Sequence, residues 1–547
     1  MQFPLGKFPN QIPWLRGLVC SCTLVGIWGM ATPATLAAET VTIRFGSFQQ
    51  AIAVADLEEF AKTGKLPKNL KLFSSILTPQ VRGLLSQRLQ IDPKIGDKFV
   101  AGLSKIPAGK QFISSLGAII PGSTAESLEA TLNIALRQVN GLTALSFVRA
   151  YPQENVTIDA SKAISFAVEF NPRYLQSQAF NLLLTRELDA TAPSTTRFKS
   201  TLNPAAPGKL TVQTQTLSFR DSERNRTIIA DIYGSQGDKQ QPLVVISHGF
   251  GANRQFLTYL ANHLSSHGVT VAAIEHPGSN STAVRTANTN LAKLMPATEF
   301  IDRPQDISFL LNQLAKINLQ PGRLQGKLNT EKVTVIGHSL GGYTALALAG
   351  GEINLKNVRE FCRDSLSFLE APADWLQCAA TNLPEKKLQL GDSRVKSAIA
   401  LNPLVGKLFG DKGLSKIRQP ILILTSTADT ITPSLKHQLV PFSQISGTKY
   451  LLTAVGATHL SIGDPKYQAN NTLVRERRGK DTASLRMLTQ GVSLAFIKQL
   501  TPEANQYKQF LSSAYTQSLS GTELPLRLVS ELPTNVESWL EKIQDKK

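Results

Sequence analysis

The spacing of apolar residues along the chain changes twice. Leu18 to Met30 is one apolar stretch, with Lys7 and Arg16 before it and Ala31-Thr-Pro-Ala-Thr-Leu-Ala-Ala38 after it. Basic, then apolar, then small is the order of a secretory signal, and the stretch is short for a membrane span. Residues 1–38 are therefore expected to be an export signal. Val41, Ile43 and Phe45 then alternate in an extended segment over 39–53. From there to about residue 190 the stripes turn helical. Thr78-Pro79 has the form of an N-cap followed by proline at the first helical position. Leu128, Leu132, Ile134, Ala135 and Leu136 fall on roughly one face of Ala125–Val139. These features predict a separate, mainly helical domain over 39–195, and it contains neither histidine nor cysteine.

A segment rich in Ser, Thr, Pro and Ala, Thr191 to Gly208, ends that pattern. Beyond it, Leu210–Phe219 and Thr227–Tyr233 flank the polar turn Asp221–Asn225, a predicted hairpin. Short continuous apolar runs follow at Leu243–Ile246, Val269–Ile274, Val333–Ile336, Ser397–Leu401, Ile421–Leu424 and Tyr450–Thr453. Helical stripes separate them, such as Ile307, Leu310, Leu311, Leu314 and Ile317. Continuous apolar strands alternating with amphipathic helices predict an α/β fold, a mostly parallel sheet with helices on both faces. The spacing assigns 205–500 to this domain, with a closing helix over 484–500. Residues 351–395 form a lid-like insertion and 501–547 a tail.

Composition narrows the classes. The chain has 547 residues, 42% hydrophobic and 18% charged, which is globular and long enough for several domains. The net charge of +18 is dispersed, its densest patch being Arg475-Glu-Arg-Arg-Gly-Lys480. Basic residues are not interleaved with aromatics, so nucleic acid is a poor partner. An anionic lipid or envelope surface suits the charge better, and solubility alone also accounts for it. Removal of 1–38 leaves Cys362 and Cys378, which either pair in an oxidising compartment or stay as buried thiols. No H-E-x-x-H, C-x-x-C or phosphate-cradling glycine motif is present, and no cofactor or metal is expected.

Gly337-His-Ser-Leu-Gly341 fits G-x-S-x-G. The pattern is short, and its context gives it weight. The apolar run Val333–Ile336 leads in, and the helix-like Gly342-Tyr-Thr-Ala-Leu-Ala-Leu-Ala349 leads out. A strand-to-helix turn that sharp lifts the Ser339 hydroxyl above the sheet as a nucleophile. Serine needs a base, and the base an orienting carboxylate. His437 and His459 alone follow Ser339. His459 sits in a loop after the last strand, whereas His437 lies in a helical stretch and is expected at the surface. Asp429 ends the run Ile421-Leu-Ile-Leu-Thr-Ser-Thr-Ala-Asp429 and is the expected acid. Asp464 is the alternative; Asp392 and Asp411 lie too early or too far from a strand end. An oxyanion needs two backbone N–H donors, assigned to Leu340 and to Phe250 in His248-Gly-Phe-Gly251. His248 is expected to bond loop carbonyls, and His276 is a weaker candidate to line the cleft.

From about 205 to 500 the chain resembles the α/β-hydrolase superfamily, and within it the platelet-activating-factor acetylhydrolase and dienelactone-hydrolase-like group. The resemblance rests on Ser247-His-Gly-Phe-Gly251, on Leu264 to His276, on Arg303-Pro-Gln-Asp-Ile-Ser-Phe-Leu310 and on the turn at Ser339. The first 200 residues resemble an uncharacterised helical domain found ahead of such hydrolases. The resemblance implies hydrolysis of carboxylic esters, including phospholipid esters, with Ser339, Asp429 and His459 as triad and Phe250 and Leu340 as oxyanion donors. The insertion 351–395 and the tail after 500 do not obviously match the acetylhydrolases, which leaves the substrate open. A serine peptidase or amidase, and a silent binding protein on the same scaffold, are the alternative functions. An ester or lipid is the expected partner, with contact at a membrane surface through the insertion or the N-terminal domain.

Overall fold

A computed structural model describes residues 38–544, except 46–47, most of 74–106, 137–142, 161, 164–171, 191–197, 236–239, 287–294, 365–370, 386 and 468–475. The expected export signal over 1–37, the cap at Thr78-Pro79 and the first part of the linker lie outside the described residues.

The N-terminal region is not the mainly helical domain expected. Strands β1 (Thr40–Phe45), β2 (Phe48–Ala53) and β3 (Asn155–Asp159) form a sheet in the order β2-β1-β3. β1 runs antiparallel to β2 and parallel to β3. Val41, Ile52 and Val156 turn inward against Leu57, Phe60, Leu128 and Leu132 from neighbouring helices. β3 was illegible because it is five residues long and pairs with a segment 115 residues earlier. Ile134, expected on the buried face, is 44% exposed.

The main sheet comprises β4 (Val212–Asp221), β5 (Arg226–Ser235), β6 (Gln241–Ser247), β7 (Thr270–Glu275), β8 (Leu328–His338), β11 (Val395–Leu401), β12 (Ile421–Ser426), β13 (Lys449–Ala454) and β14 (Leu526–Val529). Two short strands, β9 (Glu352–Asn354) and β10 (Lys387–Gln389), pair separately inside the insertion. The nine-strand order is β14-β13-β12-β11-β8-β6-β7-β5-β4. The centre is parallel, and β4, β5 and β14 run antiparallel to their neighbours. Side chains on β6 alternate between two cores. Leu243 and Val245 join the helices Glu299–Leu319 and Leu340–Leu348, while Val244 and Ile246 join Thr258–Ser266 and Ala483–Lys498.

Two segments outside 205–500 are built into this body. The helix Pro172–Ala190 inserts Phe180, Leu184 and Leu188 into the first core, which is worth several kcal/mol at roughly 1.5–3 kcal/mol per buried side chain. After residue 500 the chain adds β14 to the sheet edge and a helix, Thr534–Gln544, whose Val536 and Leu540 join the same core.

Candidate active site

The turn after β8 is shaped by close backbone contact. Ser339 has φ 55° and ψ −117°, a conformation L residues seldom adopt. A Cβ on Gly337 would lie 1.8 Å from Gly341 O, and one on Gly341 would lie 2.1 Å from Ser247 O. Backbone occupies both spaces, so only glycine permits the turn. Ser339 N donates to Leu401 O at 2.9 Å, and Leu404 N donates to Ser339 O at 3.0 Å, which ties the turn to the end of β11. Ser339 itself is 5% exposed.

Asp429 and His459 meet beside it, at the ends of β12 and β13. His459 Nδ1 donates to Asp429 Oδ2 at 2.7 Å. The other carboxylate oxygen accepts the backbone N–H groups of Ile431 at 2.9 Å and Thr432 at 2.8 Å. Thr432 Oγ1 and Asn402 Nδ2 also donate to Oδ2, at 2.8 and 3.0 Å. Burial works against a charged His459, but the Asp429 charge, its hydrogen bond and the Glu476 charge outweigh it and raise the imidazole pKa above 6.5. His338, inside the serine motif, donates from Nε2 to His459 O at 3.0 Å, with ring centroids 4.6 Å apart. On either side of the histidine in the chain, the Leu460 N–H at 2.8 Å and the Thr458 hydroxyl donate to Glu476. Burial pushes the Glu476 carboxyl upward.

The loop after β6 packs closely against Ser339. A Cβ on Gly249 would lie 3.0 Å from His338 Nδ1 and 3.2 Å from Ser339 Cβ. Among the described residues, no acceptor takes the backbone N–H of Phe250 or of Leu340. Both N–H groups belong to segments that border the serine.

Other candidates lie elsewhere. His437 is buried rather than at the surface, on a π-helical turn (Leu435–Leu439). Its Nδ1 accepts the Val405 N–H at 3.2 Å and its Nε2 faces Asp374 Oδ1 at 3.4 Å. The helical stripe hid this because the turn is covered by the insertion. His276 is fully buried and bonds Ser247 and Asp306 instead of lining a cleft. Asp464 accepts the Tyr259 N–H at 2.8 Å, at the start of the helix 258–266, and so serves as a cap. Asp392 pairs with Arg394 and Asp411 with Lys407. Cys362 and Cys378 form a disulfide within the insertion.

Two distant elements grip the loop that carries Asp429. From the helix 172–190, Asn181 Nδ2 donates to Thr427 O at 2.9 Å, and Asn181 Oδ1 accepts from Ser434 Oγ at 2.8 Å. From the insertion, Ala373 N donates to Ile431 O at 3.1 Å, and buried Asp374 pairs with Lys436 at 3.2 Å. The neighbouring Lys436 and His437 hold the Asp374 carboxyl far below its usual range, although burial alone would raise it. Sequence reasoning missed Asn402, Asn181 and Glu476. Asn402 carries a weak signal, an Asn-Pro pair ending an apolar strand; the other two carry none.

Comparison with known proteins agrees with this fold. A family described as alpha/beta hydrolase fold matches residues 242–359, and one described as platelet-activating factor acetylhydrolase, isoform II, matches 310–517. Residues 37–159, outside the nine-stranded sheet, match a family described as alpha/beta hydrolase of unknown function. The chain is 23% identical over 293 residues to a platelet-activating factor acetylhydrolase of Cavia porcellus, covering 48% of this chain and 58% of that protein. The Canis lupus familiaris enzyme of the same name is 32% identical over 140 residues, covering 20% of this chain and 32% of that protein. Cutinase 2 of Thermobifida cellulosilytica is 24% identical over 294 residues, covering 53% and 80%. The chain thus spans 58% or less of the length of the two acetylhydrolases.

Proposed function

The chain belongs to the α/β-hydrolase superfamily, and from that premise we propose that it is an exported serine carboxylic-ester hydrolase acting on lipid esters. Ser339 Oγ attacks the ester carbonyl as His459 Nε2 takes its proton. Asp429 holds the Nδ1–H tautomer and stabilises the imidazolium that forms. The N–H groups of Phe250 and Leu340 receive the negative charge that develops on the carbonyl oxygen. The alcohol leaves with a proton from His459, and water then hydrolyses the acyl-enzyme with His459 again as base. No cofactor enters these steps.

The observation that carries this reading is the 2.7 Å His459–Asp429 pair, formed beside a serine held at positive φ between two obligatory glycines. The names of the relatives, acetylhydrolase and cutinase, favour esters over amides. Export is supported by the basic-apolar-small order of the first residues and by a disulfide, a bond that persists in oxidising compartments. Contact with a lipid surface is supported by Trp375, 38% exposed on the insertion helix that docks on the acid loop, and by the charge of +18.

The test is turnover of p-nitrophenyl esters from acetate to palmitate by the protein lacking residues 1–38 and by its Ser339→Ala variant. The expected result is Ser339-dependent turnover that peaks at short chains and falls by at least about 1,000-fold in the variant. Equal turnover by both proteins removes Ser339 as nucleophile. Fluorophosphonate labelling of Ser339 without turnover of any ester turns the reading toward an amidase.

A further inference from the structure

The stretch Arg303-Pro-Gln-Asp306 and the residue His276, both prominent in the sequence resemblance, take no part in the chemistry above, yet the ionisable side chains of Arg303, Asp306 and His276 are fully buried. Asp306 accepts from both Arg226, at 2.8 Å, and Arg224, at 2.8 Å. It also accepts the His276 Nδ1 proton at 3.0 Å, leaving His276 Nε2 to accept from Ser247 Oγ at 3.0 Å. The His276 backbone N–H donates to His248 Nε2 at 3.0 Å. The proton of neutral His248 therefore sits on Nδ1, which donates to Gly249 O at 2.7 Å. Arg303 Nη2 donates to the His248 carbonyl. Burial and the Arg303 charge hold the His248 pKa well below 6.5, so the ring stays neutral.

Resting on the esterase reading, we infer that His248 is a positioning residue for the oxyanion donor at Phe250. The carbonyl that His248 grips and the Phe250 N–H are two ends of one peptide unit. That unit is planar, so fixing its oxygen aims its N–H. A hydrogen bond to the oxygen also polarises the amide and strengthens it as a donor. The Ala252 N–H donates to the same oxygen at 3.2 Å, and Gly251 N donates to Ser279 O at 2.9 Å, so the loop has little freedom to turn. Arg303 completes the hold. Among the described residues its Nε and Nη1 have no hydrogen-bond partner, which is unfavourable for a buried cation, and its one strong bond goes to this loop. The pieces come from the β4–β5 turn, the end of β7 and the helix 299–319: the turn holds Asp306, while His276 and Arg303 reach His248 itself, one at its ring and one at its carbonyl.

The test compares His248→Asn, His248→Gln and His248→Leu. The Asn amide N–H lies near the Nδ1 position and the Gln amide does not. Each variant is assayed for kcat and KM on p-nitrophenyl acetate and for affinity toward phenylboronic acid, which forms a tetrahedral adduct on serine. Fluorophosphonate titration counts folded sites. The expected result for His248→Leu is a kcat about 100-fold lower, a KM within about threefold of the original and a matching loss of boronate affinity. His248→Asn is expected to keep about tenfold more kcat than His248→Gln, a ratio that serves even where the Leu variant does not fold. Asn no better than Gln, or a loss confined to KM with boronate affinity intact, overturns the inference while the esterase reading stands. An unsubstituted protein that neither turns over esters nor labels overturns both.

Discussion

The turn that carries Ser339 and the loop that carries Asp429 end two strands of one sheet, with β11 between them, and they are held in opposite ways. The Ser339 turn is held from within. Its φ of 55° is enforced by glycines two residues to either side, whose missing Cβ atoms admit Gly341 O and Ser247 O. The Asp429 loop is held from without. Its grips are Asn181, 246 residues from its partner Thr427, and the insertion residues Ala373 and Asp374. A local steric device fails abruptly when one atom is added. A distributed polar clamp loosens by degrees, because each bond contributes only about 0.5–1.5 kcal/mol net. The proposed nucleophile is thus fixed by its neighbours in sequence, and the proposed acid by the assembly of the whole body.

The sharpest way to break this comparison is at the acid itself. Asp429→Asn is expected to lower kcat by about 10,000-fold while leaving a cooperative melt, since it spoils the His459 tautomer rather than the loop. Asp464→Asn, by contrast, is expected to keep kcat and lose about 1 kcal/mol in thermal unfolding, as a weakened cap does. At the turn, Gly341→Ala drives a Cβ to 2.1 Å from Ser247 O, backbone against side chain with nowhere to shift. A loss of about 3 kcal/mol or more is expected in denaturant unfolding, together with loss of fluorophosphonate labelling. A stable, labelled variant would show that the turn is not the rigid part.

The clamp is tested by smaller changes. Opening the disulfide with Cys362→Ser and Cys378→Ser frees a loop closed over 16 residues, worth about 3 kcal/mol in the chain-entropy model, read by thermal melts. Asn181→Ala removes the hydrogen bonds to Thr427 O and from Ser434 Oγ and is expected to remove about 1–3 kcal/mol of stability and to lower kcat severalfold. Unchanged kcat with lowered stability would make the helix 172–190 a support for the core only. The mildest readout is pH. Neutral His459 is the proposed base, and its pKa is raised above 6.5, so the rising limb of kcat/KM is expected to have its midpoint above that value. Stability runs the other way. The raised pKa contributes stability that is fully present below about 6.5 and fades as pH climbs through the folded-state value. Glu476→Gln removes one of the charges that raise it, and the limb is expected to move toward acid.

Legibility in the sequence followed the range of each constraint. The strands from Leu243–Ile246 to Tyr450–Thr453 appear where the apolar runs stand, because a strand buried on both faces is apolar throughout. His459 and Asp429 are found from their positions after strand ends, which topology turns into proximity. β3 was lost because a short strand with one buried face has little pattern of its own. His437 was misplaced to the surface because its cover, Asp374 on the insertion helix, is 63 residues away in the chain and bears no apolar mark.

The sequence by itself determined the alternating sheet, the glycine-bound turn at Ser339 and the strand ends from which Asp429 and His459 project. Each depends on periodicity or on contacts among near neighbours, and residue type alone records those. Only the tertiary structure decided that the helix 172–190 and the chain beyond residue 500 belong to the same body, and that Asn181, Asn402, Asp374 and Glu476 surround the acid and the histidine. The physical reason is that a polar side chain makes one or two directional bonds with whatever the fold brings within 3 Å. Its identity in the chain carries no period, and its partner is chosen by packing.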